Sequence, residues 1–126
     1  FRRVLFRSDV IKVAANALKT ISDRNINVSQ TWYSEDLKLP HIALTFIDEK
    51  PFFFSEDDEE VIEYTIQISL FSTKDEFELL KEIKKLMKSA GFLFSERMQD
   101  DIDTEQKRFM QAMRFKIYEE YEEMEE

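Results

Sequence analysis

The segment VIEYTIQISLFSTKDEFELLKEIKKLMKSAG, from Val61 to Gly91, contains the two clearest elements of the chain. Its first eleven residues alternate apolar and polar side chains, which predicts a strand over Val61–Phe71 with one buried face and one polar face. Such alternation is typical of an antiparallel sheet that is covered on one side. The apolar set of this strand is Ile62, Tyr64, Ile66, Ile68 and Leu70.

The rest of the segment predicts a helix, because its apolar residues recur every three or four positions. Thr73 and Glu76 have the spacing of a capping box at the start of this helix. Gly91 supplies the turn at its end, where a positive φ is needed. The expected apolar stripe consists of Phe77, Leu80, Ile83, Leu86, Met87 and Ala90.

Upstream, the spacing of Val10, Val13, Ala17 and similar residues predicts a helix over 9–23 that has Asp9 as its N-cap. A short strand is expected over 26–33, then a loop, then a strand over 41–47. The sequence DEKPFFFSEDDEE that follows, residues 48–60, is predicted to be a loop or a bent hairpin tip that extends from the body.

Downstream, strands are expected over 92–98 and 107–118, joined by the polar turn QDDIDTEQ. The order α–β–β–β–α–β–β predicts an α+β domain over 9–118, with two helices on one face of an antiparallel sheet of four to five strands. Residues 119–126, EEYEEMEE, are predicted to be an acidic tail that is frayed or weakly helical.

Composition excludes several kinds of function. The 126 residues fit one domain, and the absence of cysteine excludes disulfides, thiolate metal ligands and cysteine nucleophiles. A net charge of −9 repels nucleic acid and anionic lipid, so neither is an expected partner. A glycine-rich phosphate loop cannot be written with a single glycine.

The first eight residues, FRRVLFRS, contain three arginines and no acid, unlike the acidic remainder of the chain. The oligonucleotide TTC AGA CGT GTG CTC TTC CGA TCT, which resembles a common library adaptor, encodes them residue for residue. We therefore interpret residues 1–8 as a non-native leader derived from an adaptor. Two alternatives are a basic arm for nucleic acid or membrane, which conflicts with the charge of the rest of the chain, and the front of an amphipathic helix.

Candidate chemical sites are few. His41, the single histidine, is predicted to be an ordinary strand residue that faces solvent or a neighbouring subunit, and a catalytic base is the alternative. The acid runs 57–60 and 100–103 are interpreted as solvated turns, with a cation site as the alternative. Trp32 and Tyr33 are expected to pack rather than to bind a ligand. No catalytic residue, metal or cofactor is predicted.

The run PFFFSEDDEE, with three consecutive phenylalanines followed by acidic residues, is the most unusual and informative stretch of the sequence. Side chains alternate along a strand, so three consecutive phenylalanines cannot all enter one core, and at least one should be exposed in a monomer. One alternative is that Phe53 faces the core while the loop covers its neighbours. The other is an apolar anchor flanked by acids that contacts a subunit or partner. The predicted contact residues are Phe52, Phe53, Phe54, Glu56, Asp57 and Asp58.

The chain resembles the small tail-terminator, or tail-completion, proteins of long-tailed bacteriophages and prophages. The resemblance lies in an order of features: an opening helix, LPHIALTFI, an acidic connection, EYTIQISLFSTKDEFELLKEIKKLMKSAGF, a polar turn and the late strand FMQAMRFKIYEE. It implies a non-enzymatic virion protein that forms a ring, usually a hexamer, on the head-proximal end of the tail tube. The implied partners are copies of itself, the tail-tube protein and the head connector.

Two other functions are compatible with the composition. A monomeric acidic module, such as a nucleic-acid mimic that inhibits a DNA-binding protein, would use the acids of residues 119–126. A small hydrolase would require an apolar pocket with convergent titratable groups. A ring of identical subunits is the leading hypothesis, since it gives surplus phenylalanines and exposed sheet edges a partner.

Overall fold

The structure is a computed structural model that describes residues 7–30, 38–54 and 59–122, without the side chains of 7, 8, 53, 54, 59, 60 and 120–122. Three helices and six strands follow one another along these residues. They are α1 Arg7–Ala17, α2 Lys19–Ser22, β1 Asn27–Ser29, β2 His41–Phe54, β3 Glu59–Ser72, α3 Phe77–Ser89, β4 Leu93–Arg97, β5 Asp101–Asp103 and β6 Arg108–Glu122. No helix of the described part is both long and apolar enough to cross a membrane.

The strands form one six-stranded sheet in the order β1-β2-β3-β6-β4, and β5 pairs with β6 beside β4. The predicted α+β class is confirmed, with one more strand than the largest number expected. The sheet is mixed rather than wholly antiparallel, because β1 pairs with β2 in parallel. Local alternation does not encode the direction of pairing, and a strand of three residues carries almost no pattern.

The core lies between one face of the sheet and the helices. The predicted apolar face of β3 is buried throughout, and it packs with residues of α1, α2 and α3. The helices and the Leu18 junction between α1 and α2 contribute these core residues: Val10, Ile11, Ala14, Leu18, Ile21, Leu79, Leu80, Ile83 and Met87. Burial of these side chains is the main source of stability in a domain of this size.

The predicted first helix is divided in two at Leu18, whose backbone (φ −98°, ψ 13°) leaves the helical region while its side chain is fully buried. Asp9 lies within the first turn of α1 and is not the N-cap, because the helix begins at Arg7. Two residues of the stretch interpreted as a non-native leader therefore belong to α1.

The start of α3 differs from the prediction. Glu76 is the N-cap residue and no side chain caps it, so the capping box with Thr73 does not form. Gln111 of β6 takes over this role: its Oε1 accepts the Glu76 N–H at 3.0 Å, and its Nε2 donates to Asp75 Oδ1 at 2.9 Å. Phe77, expected in the buried stripe, is 61% exposed.

The end of α3 agrees with the prediction. Gly91 has φ +97° and donates its N–H to Lys88 O at 3.1 Å, while the Phe92 N–H bonds to Met87 O at 3.0 Å. This pair of hydrogen bonds is a Schellman motif. It turns the chain so that Phe92 enters the core and β4 begins directly afterwards.

Replacing Gln111 with alanine should lower the free energy of unfolding by about 1–2 kcal/mol, because the partly buried N–H of Glu76 loses its acceptor. Urea denaturation followed by circular dichroism measures this loss. Gln106→Ala is the matched control, since that side chain is exposed, and it should change stability by less than about 0.5 kcal/mol. Equal effects of the two substitutions would contradict the anchoring role.

Candidate functional site

The ends of the three longest strands form the feature that we call the acidic arm: residues 48–54 of β2, 59–64 of β3 and 118–122 of β6. Pairing continues to Phe54 opposite Glu60 and to Glu59 opposite Glu122. Residues 48–54 and 59–60 therefore form the paired strands of the hairpin alternative rather than a loop, and residues 55–58 lie outside the described part. The arm contains eight acidic residues and one lysine.

The arm also alters the interpretation of the acidic tail. Residues 119–122, predicted to be frayed or weakly helical, instead continue β6 and pair with β3. Residues 123–126 lie outside the described part of the chain. The acids of this stretch are thus held in a sheet, where their backbone is fixed.

Phe52 is exposed at the side of the arm. Its strand has a register shift between Pro51 and Phe53, so Phe52 is the extra residue of a β-bulge. The ring is 63% exposed and rests edge-on against Tyr118, with 5.0 Å between ring centroids. This confirms that at least one of the three phenylalanines is exposed in a single chain.

The structure does not describe the other predicted contact residues in full. Phe53 and Phe54 lie in β2 with their Cα atoms opposite Val61 and Glu60, but their side chains are outside the described part. Glu56, Asp57 and Asp58 are outside it entirely. Trp32 and Tyr33, in the stretch 31–37, are outside it as well.

A buried charged cluster joins the three strands at the base of the arm. The carboxylate of Glu63 lies 3.1 Å from Lys116 Nζ and 3.6 Å from Lys50 Nζ, and it accepts a 2.9 Å hydrogen bond from Tyr118 Oη. One acid of β3 is thereby tied to one residue of β2 and two of β6. The cluster fixes the arm to the body and supports the Tyr118 ring beneath Phe52.

The environment of this cluster shifts its pKa values. Burial by itself raises the pKa of Glu63, but hydrogen bonds from Lys116 and Tyr118 and the charges of both lysines outweigh it and hold that pKa below its usual value. The pKa of Lys116 is raised, chiefly by its hydrogen bond to Glu63. The pKa of Tyr118 is raised by burial and by the same carboxylate.

The polar face of β3 is covered by its neighbours, contrary to the simple expectation of an open face. Glu63, Thr65, Gln67 and Ser69 are all buried. The Arg114 Nε donates to Gln67 Oε1 at 3.1 Å, and the Gln67 Nε2 donates to Ser69 Oγ at 3.0 Å. The long side chains of β6 thus cover this face of the sheet, as a second layer of secondary structure would do.

His41 is buried rather than turned to solvent or to a neighbouring subunit. Its Nε2 lies 3.2 Å from Ser29 Oγ of β1, and its Nδ1 has no hydrogen-bond partner among the described residues. A catalytic base must reach a substrate, and a ring that is 1% exposed does not offer that access. The geometry therefore favours an ordinary strand residue.

The acids of the polar turn have structural contacts. Asp103 Oδ1 accepts the backbone N–H groups of Glu105 and Gln106, both at 3.1 Å, which shapes the turn into β6. Asp100 pairs with Arg97. Within the ranges that the structure describes, no group of three or more His, Asp or Glu residues is placed to hold a metal ion.

The edge strand β4 is a second exposed feature, which the sequence did not single out. All five of its residues are exposed, including Leu93 at 57% and Phe94 at 42%. Phe94 contacts Phe115 edge-on at 5.9 Å on the helix side of the sheet. β4 is the last strand of the sheet order, so no described strand pairs with its outer edge.

The chain therefore has two exposed apolar features: Phe52 on β2 within the arm, and Leu93 and Phe94 on β4 at the far edge of the sheet. No family model matches the chain, and no curated protein matches it. The resemblance to tail terminators stays a prediction, and the function must be argued from these surfaces.

Proposed function

We propose that this protein is a structural, non-enzymatic subunit that assembles with copies of itself into a closed ring. The ring is of the tail-terminator type: a hexamer that caps the phage tail tube and presents the docking surface for the head connector. The observation that carries the proposal is the pair of uncovered apolar features on one small chain, Phe52 on the arm and the β4 edge. Exposed apolar residues and free strand edges mark contact surfaces.

Two different surfaces favour a ring over a two-fold dimer. A two-fold contact uses the same patch on both subunits, whereas a head-to-tail contact joins two unlike patches and closes into a ring when the rotation allows. Phe52 is on β2 and Phe94 is on β4, and two strands, β3 and β6, lie between them in the sheet. Unlike patches at separate edges are what a head-to-tail assembly needs.

The titratable groups of the described core support a structural role. The carboxylate of Glu63 is engaged by three hydrogen-bonding or charged partners, and the imidazole of His41 is buried beside Ser29. Such groups hold strands together and do not converge on an open pocket. In this proposal the protein resides at the head-proximal end of the virion tail, after assembly in the host cytoplasm.

Mass photometry of the full chain, combined with electron microscopy of tail-tube ends, tests the proposal. We expect a discrete ring-sized species, alone or on tube ends, that Phe52→Ser weakens at least about tenfold. Ile102→Ser is the matched control, since Ile102 is an exposed apolar residue of β5, and it should leave assembly unchanged. A chain that stays monomeric and ignores tube ends would contradict the proposal.

The charge of the arm favours one second candidate, a monomeric acidic module that binds a basic protein. Such binding would weaken sharply with salt and would not require self-association. Deletion of residues 119–126 is a poor test of it, because 119–122 belong to β6 and their loss would damage the sheet. Neutralising substitutions at Asp48 and Glu49, which are exposed, are the better choice.

A further inference from the structure

A basic groove lies where the second half of α3 meets β4. It measures about 450 Å³ and is lined by Lys84, Lys85, Lys88, Phe92, Leu93 and Phe94, which we call the lysine groove. Three lysines and no acid line it, in a chain whose net charge is −9. Its apolar wall is the exposed part of β4.

The lysines of the groove are available for a partner. None of the three forms an ion pair with a described residue. Lys84 Nζ lies 4.0 Å from the centroid of the Phe94 ring, so one wall presents a cation and an aromatic face together. A lysine-rich helix face is often only a solvated face, but solvation does not account for half-exposed Leu93 and Phe94 beside it.

We propose that the lysine groove receives the acidic arm of a second copy of this chain. The arm has the complementary chemistry: apart from the buried Glu63 it contains seven acids against one lysine, and the exposed ring of Phe52 lies at its side. Acids opposite lysines would steer the approach, and Phe52 would add apolar contact with the wall formed by Leu93 and Phe94. This inference rests on the proposed ring function, for which it names the two halves of the subunit contact.

A single chain cannot make this contact with itself. Phe94 lies on the helix side of the sheet, where it touches Phe115 and Lys84. Phe52 lies on the opposite side, because it rests on Tyr118, which shares a face with Glu63. Two complementary surfaces on opposite faces of one sheet can be brought together only by different copies, as in a head-to-tail contact.

The test uses charge reversal in the full chain. K84E/K85E/K88E changes the groove, and D48K/E49K changes the arm at two exposed positions. Each variant should weaken self-association at least about tenfold, and the two sets combined in one chain should restore it. K12E/K19E/K74E is the matched control: it has the same charge change at exposed lysines outside the groove and should assemble like the wild type.

Thermal unfolding of every variant shows that the fold is kept, and sedimentation velocity at two salt concentrations measures assembly. A groove variant that assembles like its control, or a combined variant that is not rescued, would overturn the inference while leaving the ring itself intact. Binding of wild-type chain to a DNA duplex that K84E/K85E/K88E alone abolishes, with assembly unchanged, would assign the groove to a polyanion and also overturn it. A monomeric wild type that ignores tube ends would instead contradict the proposed function.

Discussion

Replacing Phe115 with alanine should lower the free energy of unfolding by about 3–5 kcal/mol. Phe115 is buried in β6, with its Cα opposite Ile66 of β3 on one side and Phe94 of β4 on the other. Strands paired on both sides cannot move inward to fill the space left by the ring, so the cavity persists. Since small domains are stable by roughly 5–15 kcal/mol, this variant should be close to unfolding at 37 °C.

The matched control for this prediction is Phe94→Ala. The two rings contact each other, but Phe94 is partly exposed, so its removal should cost only about 1 kcal/mol. Urea denaturation followed by circular dichroism compares the two. Similar losses of unfolding free energy in the two variants would contradict the central place in the core that the burial of Phe115 indicates.

Replacing Glu63 with glutamine should cost about 2–3 kcal/mol at neutral pH, because a buried carboxylate loses charge-assisted hydrogen bonds from Lys116 and Tyr118. The effect should depend on pH. The folded state holds the pKa of Glu63 below the ordinary value of 4.5, so the stabilisation is present above that value and is lost as the pH falls through the lower folded pKa.

Denaturation curves measured between pH 7 and pH 3 check this dependence. The wild type should lose stability on acidification more steeply than Glu63→Gln, so the difference between them should shrink towards low pH. Glu78→Gln is the control, since Glu78 is an exposed residue of α3 and should give parallel curves. A constant difference between wild type and Glu63→Gln across this range would contradict a charged Glu63 in the folded state.

The sequence predicted those parts of the fold that are decided locally. The alternation of Ile62 to Leu70 places one face of β3 in the core, and Gly91 ends α3 with the positive φ expected. Both features depend only on residues that are close in the sequence. The two-residue alternation of a strand, the 3.6-residue repeat of a helix and a left-handed turn are each encoded within a few positions.

The parts that the sequence left open or predicted wrongly depend on distant residues. The sequence could not decide between a loop and a hairpin for residues 48–54, because bulges near Ile47 and at Phe52 interrupt the alternation twice, although the strand continues through both. The start of α3 is set by Gln111, which is 35 residues away from Glu76, and not by the local capping pattern. No short stretch of sequence contains both Glu76 and Gln111, so a local pattern could not predict this contact.

The candidate site was predicted in part for the same reason. Exposure of Phe52 follows from the alternation rule alone, and the structure agrees. The lysine groove was missed because its lysines come from α3 and its apolar wall from β4, and only the fold brings them together. A pattern of lysines at positions 81, 84, 85 and 88, on one side of the helix, was the available signal.

The position of β6 constrains how the chain can be made. β6 lies between β3 and β4 and also pairs with β5, so every one of its neighbours leaves the ribosome before it does. Until β6 emerges, the nascent chain has one piece of sheet, β1-β2-β3, and two unpaired strands, β4 and β5, whose exposed apolar residues and free edges favour wrong pairing or chaperone binding. The complete sheet should therefore form only after β6 has emerged, and a chain interrupted before Arg108 should be degraded instead of accumulating as a stable fragment.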